Sequence, residues 1–109
     1  MTGAIDQTLA ALADPVRRRA VELLGERPRR AGELAQALDL GAPAMSRHLG
    51  VLRRSGLVEE RHDGLDARVR VYSLKDGGTA ELKRWLADTE SLWAEQLLAF
   101  KAHVERRQE

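Results

Sequence analysis

The residues best suited to bind a polyanion lie between positions 41 and 56. They are Ser46, Arg47, His48, Arg53 and Arg54, and because the segment has no Asp or Glu its arginines give it a charge of +3. Arginine can donate two hydrogen bonds to guanine O6 and N7 or to a phosphate, and serine can donate or accept one. The segment therefore has the chemistry needed to contact DNA, and the sequence leaves open whether Arg47 contacts a base or a phosphate.

A catalytic role for these side chains is not expected. Ser46 and His48 are two residues apart, so on a helix they point about 200° away from each other and cannot form a nucleophile–base pair. The chain has no cysteine, which excludes disulfides, thiolate metal ligands and a cysteine nucleophile. The sequence also shows no glycine-rich phosphate loop and no cluster of metal ligands. We therefore predict that the protein is not an enzyme and uses no cofactor.

The composition of the chain favours a single helical domain, residues 1–109. Hydrophobic residues make up 43% of the sequence, mostly as Leu and Ala, and aromatic residues only 4%, which favours helices over a β-sandwich. Lys and Arg total 18 against 17 for Asp and Glu, so only the local distribution of charge indicates a partner. Because no apolar run approaches the ~20 residues that span a bilayer and no secretory leader is evident, we expect a cytoplasmic protein without membrane contact.

The spacing of apolar residues, Pro and Gly predicts the elements that hold the polar side chains. Helices are predicted at 1–13, 15–25, 31–38 and 42–55, a hairpin with strands at 57–62 and 68–74 around a five-residue tip, and a last helix at 76–107. Asp14 is suited to cap the second helix and Pro15 to begin it, and Gly56 stands where a helix C-terminal glycine belongs. The fold class is therefore mostly α with a two-stranded β-hairpin. Its order, H-H-H-H-E-E-H, is that of a winged helix-turn-helix with a long C-terminal dimerisation helix.

In a winged helix-turn-helix, the second helix of the turn motif enters the major groove and the hairpin contacts an adjacent groove or phosphates. We name the predicted helix 42–55 the recognition helix and the predicted hairpin 57–74 the wing. The residues predicted to contact DNA are Ala42, Pro43, Ala44, Ser46, Arg47, His48, Arg53 and Arg54 in the recognition helix and Arg61, Arg68 and Arg70 in the wing. A phosphate contact from Arg17, Arg18 or Arg19 is an open alternative, although positive charge is unfavourable at a helix N-terminus.

The last predicted helix is too long to be covered by a core of this size. A helix of about 30 residues extends ~45 Å, whereas a domain of this length has a radius of gyration of ~13 Å. An exposed apolar stripe is an association surface, and a twofold homodimer is the simplest way to cover it. The predicted dimer interface consists of Ile5, Leu9 and Leu12 in the first helix and Leu82, Trp85, Leu86, Leu92, Trp93, Leu97 and Phe100 in the last. Packing of the stripe on its own domain is the alternative.

Four stretches of the sequence carry a resemblance to a known family. They are L-A-D-P-V-R-R-R-A-V-E-L-L at 12–24, G-E-L-A-Q-A-L at 32–38, P-A-M-S-R-H-L-G-V-L-R-R-S-G-L-V at 43–58 and R-V-R-V-Y-S-L at 68–74. Through them most of the chain resembles the ArsR-type winged-helix transcriptional repressors. The resemblance implies a homodimer, packed through its first and last helices, that binds a partly palindromic double-stranded DNA operator and represses transcription, often of its own operon. It also implies that Ser46, Arg47 and His48 lie on the recognition helix and that residues 61–70 form the wing.

The chain departs from the family's pattern in ways that bear on its ligands. Gly41-Ala42 stands where members often have Ser-Gln, so one polar contact to DNA is expected to be missing. The cysteine pair of metal-sensing members is absent, which places the chain in the cysteine-free subgroup. Other members bind metal through Asp and His of the last helix, but here His103 lies more than ten residues from Asp88 and Glu90. We therefore predict no metal site within one chain, and a site across the dimer is left open.

The main alternative function is a winged helix that serves as a protein-interaction or dimerisation module without specific DNA binding. Such a module would present an arginine-poor or apolar recognition face, and residues 42–55 have neither. The sequence leaves open the operator, the regulated genes, any small-molecule inducer, and the choice between repression and activation.

Overall fold

The computed structural model describes residues 3–64 and 66–107 of the chain. The described residues form α1 Ala4–Leu12, α2 Pro15–Glu26, β1 Arg29–Arg30, α3 Ala31–Ala37, α4 Ala42–Arg54, β2 Val58–Asp63, β3 Asp66–Leu74 and α5 Ala80–Arg107. They group into two compact units, one that ends at Thr79 and one that begins at Ala80. Apart from β1, the elements follow the predicted order, and the predicted fold class is confirmed. No helix in this part of the chain combines the length and the apolar composition that crossing a membrane requires.

Asp14 begins α2 as the sequence predicts. Its carboxylate accepts hydrogen bonds from the backbone N–H groups of Val16 at 2.8 Å and Arg17 at 3.2 Å, and Pro15 occupies the first turn. The hydrogen bond from Arg17 lowers the pKa of Asp14 below its ordinary value of 3.8, and the hydrogen bond from Val16 acts in the same direction. The ionised carboxylate therefore stabilises the start of α2 at neutral pH.

The turn between α3 and α4 is fixed by backbone hydrogen bonds. Asp39 follows α3 with φ of 55°, the left-handed conformation in which many helices end. The N–H of Leu40 donates to the carbonyl of Ala35 at 2.8 Å, and that of Asp39 donates to the carbonyl of Gln36 at 3.3 Å. These two bonds form a Schellman motif, which sets the direction in which the chain enters α4.

The core of the first unit lies under α4, which is the recognition helix. The largest fully buried side chains are those of Leu34, Met45, Leu49 and Leu52. The last three recur at helical spacing and bury one face of α4, as their periodicity in the sequence indicates. Because this face fixes the rotation of the helix about its axis, the polar residues on the opposite face are held toward solvent.

Gly56 ends α4 in a second Schellman motif. Its φ is 81°, its N–H donates to the carbonyl of Arg53, and the N–H of Leu57 donates to the carbonyl of Leu52. A Cβ at Gly56 would meet nothing within 4 Å, so the cost of a side chain there comes from the backbone conformation alone.

We expect Gly56→Ala to lower the free energy of unfolding by about 1–2 kcal/mol, measured by chemical denaturation. Gly32→Ala is the matched control, since Gly32 is helical with equal space, and it should raise stability by roughly 0.5–1 kcal/mol. Equal stabilities of the two variants would contradict the prediction.

The sheet has one strand more than the sequence predicts. β3 lies between β1 and β2, and all neighbours are antiparallel. Arg29 and Arg30 pair with Tyr72 and Val71, so the predicted two-stranded hairpin is extended to three strands. A strand of two residues is too short for the alternating pattern from which strands are predicted, and its pairing joins segments that are far apart in the sequence.

The wing also has a shorter turn than the predicted five residues. β2 continues to Asp63 and β3 begins at Asp66, with a register shift between His62 and Asp63. Leu65, in the predicted tip, lies outside the described residues. The prediction was wrong because Asp and Gly indicate a loop locally, whereas pairing with the opposite strand satisfies the backbone groups of the flanking residues.

The last helix begins later than predicted. α5 starts at Ala80 rather than near Asp76, because the N–H of Gly78 donates to the carbonyl of Lys75 at 3.0 Å and Gly77 has φ of 74°. Residues 75–78 therefore form a turn instead of the first turn of the helix. α5 itself has 28 residues and none of them is buried, and at 1.5 Å per residue it extends about 42 Å.

Candidate nucleic-acid interface

The residues of α4 that are predicted to contact DNA fall into an exposed and a half-buried group. Ala42, Pro43, Ser46, Arg47, Arg53 and Arg54 are exposed, and Ala44 and His48 are half-buried. The exposed group contains no acidic residue. The structure thus presents a positively charged face of α4 on the side away from its buried leucines.

Arg47 and Arg54 extend from this face. In residues 3–64 and 66–107, neither side chain takes part in a hydrogen bond or an ion pair. Arg54 lies along the helix over Gly50, where its Nη1 would be 3.2 Å from an added Cβ. Two exposed guanidinium groups with unused N–H donors are suited to phosphate oxygens or to the acceptors of guanine.

His48 faces α2 instead of standing apart on the exposed face. Its Nδ1 lies 3.4 Å from Nη1 of Arg17. The positive charge of the imidazole, when it is protonated, also helps to lower the pKa of Asp14. His48 is therefore placed at the border between the recognition face and the start of α2.

The three arginines at the start of α2 are engaged within the protein. Arg17 donates from Nε to the carbonyl of Ala11 at 2.6 Å, and Arg18 donates from Nη1 to two further carbonyls of the α1 end at 2.7 and 3.1 Å. Arg19 pairs with Glu22 at 3.0 Å. The last carbonyls of a helix lack partners within the helix, and cations are favourable there. Arg17 and Arg18 thus join α1 to α2, a role that the sequence did not reveal.

The arginines in the outer part of the wing form exposed ion pairs. Arg61 pairs with Glu59 on the same strand, and Arg68 pairs with Asp66 at 3.3 Å. The arginine side chains are 73% and 92% exposed. Ion pairs of this kind contribute little to stability, so the guanidinium groups can exchange their carboxylate partners for phosphates.

Glu60 joins the recognition helix to the wing. Its carboxylate accepts a hydrogen bond from the Tyr72 hydroxyl at 2.8 Å and pairs with Arg53 at 3.3 Å and Arg70 at 3.7 Å. Its side chain is only 14% exposed. Glu60 was not predicted from the sequence, because the strand register that places it opposite Tyr72 had to be known first.

Tyr72 should titrate above the ordinary range of a tyrosine. Burial, and then the hydrogen bond to Glu60 and its negative charge, raise the pKa of Tyr72 above 10.0. Because the pKa is raised on folding, the neutral phenol contributes full stability below about pH 10, and this stability is lost as the pH rises through the folded-state pKa. Tyr72 is the only tyrosine, so phenolate absorbance during an alkaline titration reports it alone. Glu60→Gln should shift the midpoint downward, and a midpoint at the value of free tyrosine in the unchanged protein would contradict the assignment.

The predicted dimer residues are mostly exposed in the single chain. In α1, Leu9 is exposed, Ile5 is half-buried and Leu12 packs against the core. In α5, Leu82 is half-buried, whereas Trp85, Leu86, Leu92, Trp93, Leu97 and Phe100 are exposed, together with Leu98 and Val104, which were not predicted.

The part of the chain that the structure describes has no group of three His, Asp or Glu side chains that could hold a metal ion.

Comparison with known proteins gives matches over the same elements. A family model described as a helix-turn-helix domain matches residues 12–61. The chain is 39% identical over 95 residues to the HTH-type transcriptional regulator Rv2034 of Mycobacterium tuberculosis, covering 87% of this chain and 83% of the relative. It is 46% identical over 74 residues to the biofilm growth-associated repressor of Xylella fastidiosa, covering 68% of this chain and 62% of the relative. The structure of an ArsR-like transcriptional regulator from Rhodococcus sp. RHA1 matches with a TM-score of 0.73 and 28% identity, over 90% of each chain.

The match to the family model spans α2, α3 and α4, and the structural match covers 90% of this chain. The resemblance drawn from the sequence is thereby confirmed. The chain belongs to the ArsR family of winged helix-turn-helix transcriptional regulators, which act by binding DNA.

Proposed function

We propose that the protein is a homodimeric repressor that binds a specific, partly palindromic operator of its own or a neighbouring operon. The observation that carries this proposal is the exposed face of α4, which has no acidic residue and presents Arg47 and Arg54 without a carboxylate partner among the described residues. We assign Ser46 and Arg47, near the start of α4, to base edges, because the early residues of a recognition helix lie deepest in the major groove. Arg53, Arg54 and the wing arginines are assigned to phosphates in the same proposal.

Dimerisation is supported by the apolar side chains of α5. Trp93 is 64% exposed, Leu97 60% and Phe100 67% in the single chain. Soluble proteins seldom leave such a row of large apolar side chains in water. A second copy is the proposed partner, since a twofold interface covers the same surface on both chains and supplies two recognition helices, which can enter successive major grooves ~34 Å apart.

Repression rather than activation is supported by a relative's name, the biofilm growth-associated repressor of Xylella fastidiosa. A regulator whose operator overlaps a promoter excludes RNA polymerase by occupying the DNA. We therefore expect transcription in vitro from the promoter upstream of the protein's own gene to fall when the protein is added. A rise in transcription would contradict this part of the proposal and leave DNA binding intact.

The proposed function is tested by titrating the protein against labelled duplexes from the upstream regions of its own and the neighbouring operons at several salt concentrations. Each phosphate contact adds about −0.9 to the slope of log K against log salt, so a dimer with several contacts should give a slope of roughly −4 or steeper. A duplex of unrelated sequence and equal length is the control and should bind at least ~10³-fold more weakly. Absence of binding in dilute salt would overturn the proposal and favour a protein-interaction module.

Arg47→Ala should weaken binding to the operator and reduce its specificity. If Arg47 contacts a base, the loss is about 1–3 kcal/mol and is confined to operator duplexes with the matching base pair. If it contacts a phosphate, binding to all duplexes weakens alike and the salt slope decreases by about 1 for each phosphate that the variant no longer neutralises. Gln36→Ala is a control on an exposed position of α3. Affinity equal to that of the parent protein for every duplex would remove Arg47 from the interface.

A further inference from the structure

Glu60 is a half-buried carboxylate between two arginines that come from different elements. Arg53 belongs to the last turn of α4 and Arg70 to β3, and the two guanidinium groups contact different oxygens of the same carboxylate, Oε2 and Oε1. Tyr72 donates to Oε2 from the position directly opposite Glu60 in the sheet. The carboxylate of Glu60 thus has one neutral donor, the Tyr72 hydroxyl, and two cationic partners, Arg53 and Arg70.

The arginines are much more exposed than the carboxylate that they contact. The side chain of Glu60 is 14% exposed, that of Arg53 50% and that of Arg70 60%. Each guanidinium has five N–H donors and contacts Glu60 through one nitrogen, so donors are left for a second acceptor in solvent. One carboxylate between two arginines also leaves a net charge of +1 on the cluster.

A hollow lies beside this cluster and gives the arginines room for a further partner. This hollow of about 460 Å³ between α4 and β2 is lined by Gly50, Val58 and five charged residues, Arg53, Arg54, Glu59, Glu60 and Lys75. Three of the five charged side chains are basic and two are acidic, which leaves a formal charge of +1. A phosphate group seated against the outer edge of the hollow would find several cationic donors, with one arginine fixed in place by Glu60.

We propose that Glu60 is a positioning residue that holds Arg53 and Arg70 as a pair of ligands for one stretch of the DNA phosphate backbone. The inference rests on the proposed function, because it assigns a role within DNA binding. Arginine side chains lose considerable rotamer freedom when they are fixed, and a carboxylate that fixes them before DNA arrives removes that cost from binding. The pair also ties the end of the recognition helix to the wing, so both elements are presented to the duplex together.

The test uses Glu60→Gln in the full-length protein, because simple electrostatics and the positioning role predict opposite results. Removal of a negative charge close to DNA should by itself tighten binding. If Glu60 positions the two arginines, Glu60→Gln instead weakens binding to the upstream duplex by roughly tenfold and makes the salt slope less steep by about 1–2 for each subunit. Glu59→Gln removes the same charge from the neighbouring residue, whose carboxylate pairs with Arg61 instead of Arg53 or Arg70, and this variant should bind equally or more tightly because Arg61 is released toward the DNA.

A double-mutant cycle separates positioning from a general loss of structure. Arg53→Ala should weaken binding in the parent protein and have little further effect in Glu60→Gln, because Arg53 is no longer held toward the phosphate in that variant. A merely structural role would lower the melting temperature and leave the effects of Glu60→Gln and Arg53→Ala additive. Equal or tighter binding by Glu60→Gln, or additive effects, would overturn this inference alone. Absence of DNA binding by the unchanged protein would overturn the proposed function and this inference with it.

Discussion

Leu52→Ala should lower the free energy of unfolding by about 2–5 kcal/mol, which is a large part of the total stability of a domain of this size. The side chain of Leu52 is 0% exposed, and its removal leaves a cavity that the surrounding helices fill only in part. The backbone of Leu52 also accepts the hydrogen bond from Leu57 that ends α4. A cavity at this position therefore destabilises both the recognition helix and the start of the wing.

Chemical denaturation followed by circular dichroism, at one fixed protein concentration, measures this effect. The concentration must be fixed because association stabilises the folded state by mass action. Leu74→Ala is a matched control in the same unit, since the side chain of Leu74 is 38% exposed, and it should cost only about 1 kcal/mol. Equal destabilisation of the two variants would show that Leu52 does not occupy the centre of the core.

Trp93→Asp should convert the proposed dimer into monomers and weaken operator binding by roughly 10²-fold or more. A carboxylate at the centre of the proposed α5 interface would lose its hydration without gaining a partner, which costs several kcal/mol for each chain. A monomer engages one half-site alone and loses the gain in affinity that comes from linking two sites, typically 10²–10⁴-fold. Sedimentation velocity at micromolar concentration measures the first effect and a binding titration the second.

Ser91→Asp is the matched control for this experiment. It introduces the same charge two residues away on the same helix, at a position that points about 200° from Trp93. We expect this variant to remain dimeric and to bind the operator as the parent protein does. A Trp93→Asp variant that sediments as a dimer would place the interface elsewhere and overturn the assignment of the α5 stripe.

The recognition helix was predictable almost to the residue. It was expected at 42–55 and is found at Ala42–Arg54, with Met45, Leu49 and Leu52 buried. Its boundaries and its buried face depend on proline, glycine and apolar spacing, and all three act within a few residues of the chain. The charge of its exposed face follows from the same sequence, because the apolar positions leave the arginines on the other side.

The sequence predicted the side chains of the site better than the neighbours that they contact. His48 was grouped with the DNA-contacting residues, yet it is half-buried and faces Arg17. Arg53 and Arg70 were predicted to contact DNA from two separate elements, yet both contact Glu60. A pattern of residue types indicates which side chains carry the right chemistry, but it gives no account of which neighbours they meet across the fold.

The sequence by itself determined the order of the helices, the identity of the recognition helix and the sign of the charge on its face, because each of these depends on residues close together in the chain. Only the tertiary structure decided three features: the third strand, the backbone carbonyl that accepts the hydrogen bond of Arg17, and the contacts of Glu60 with its arginines. Each of them joins different segments of the chain. Gly78 illustrates the difference: a Cβ there would lie 2.5 Å from the carbonyl oxygen of Gly56. This close approach of two backbone segments exists only once the wing has folded back beside the end of α4.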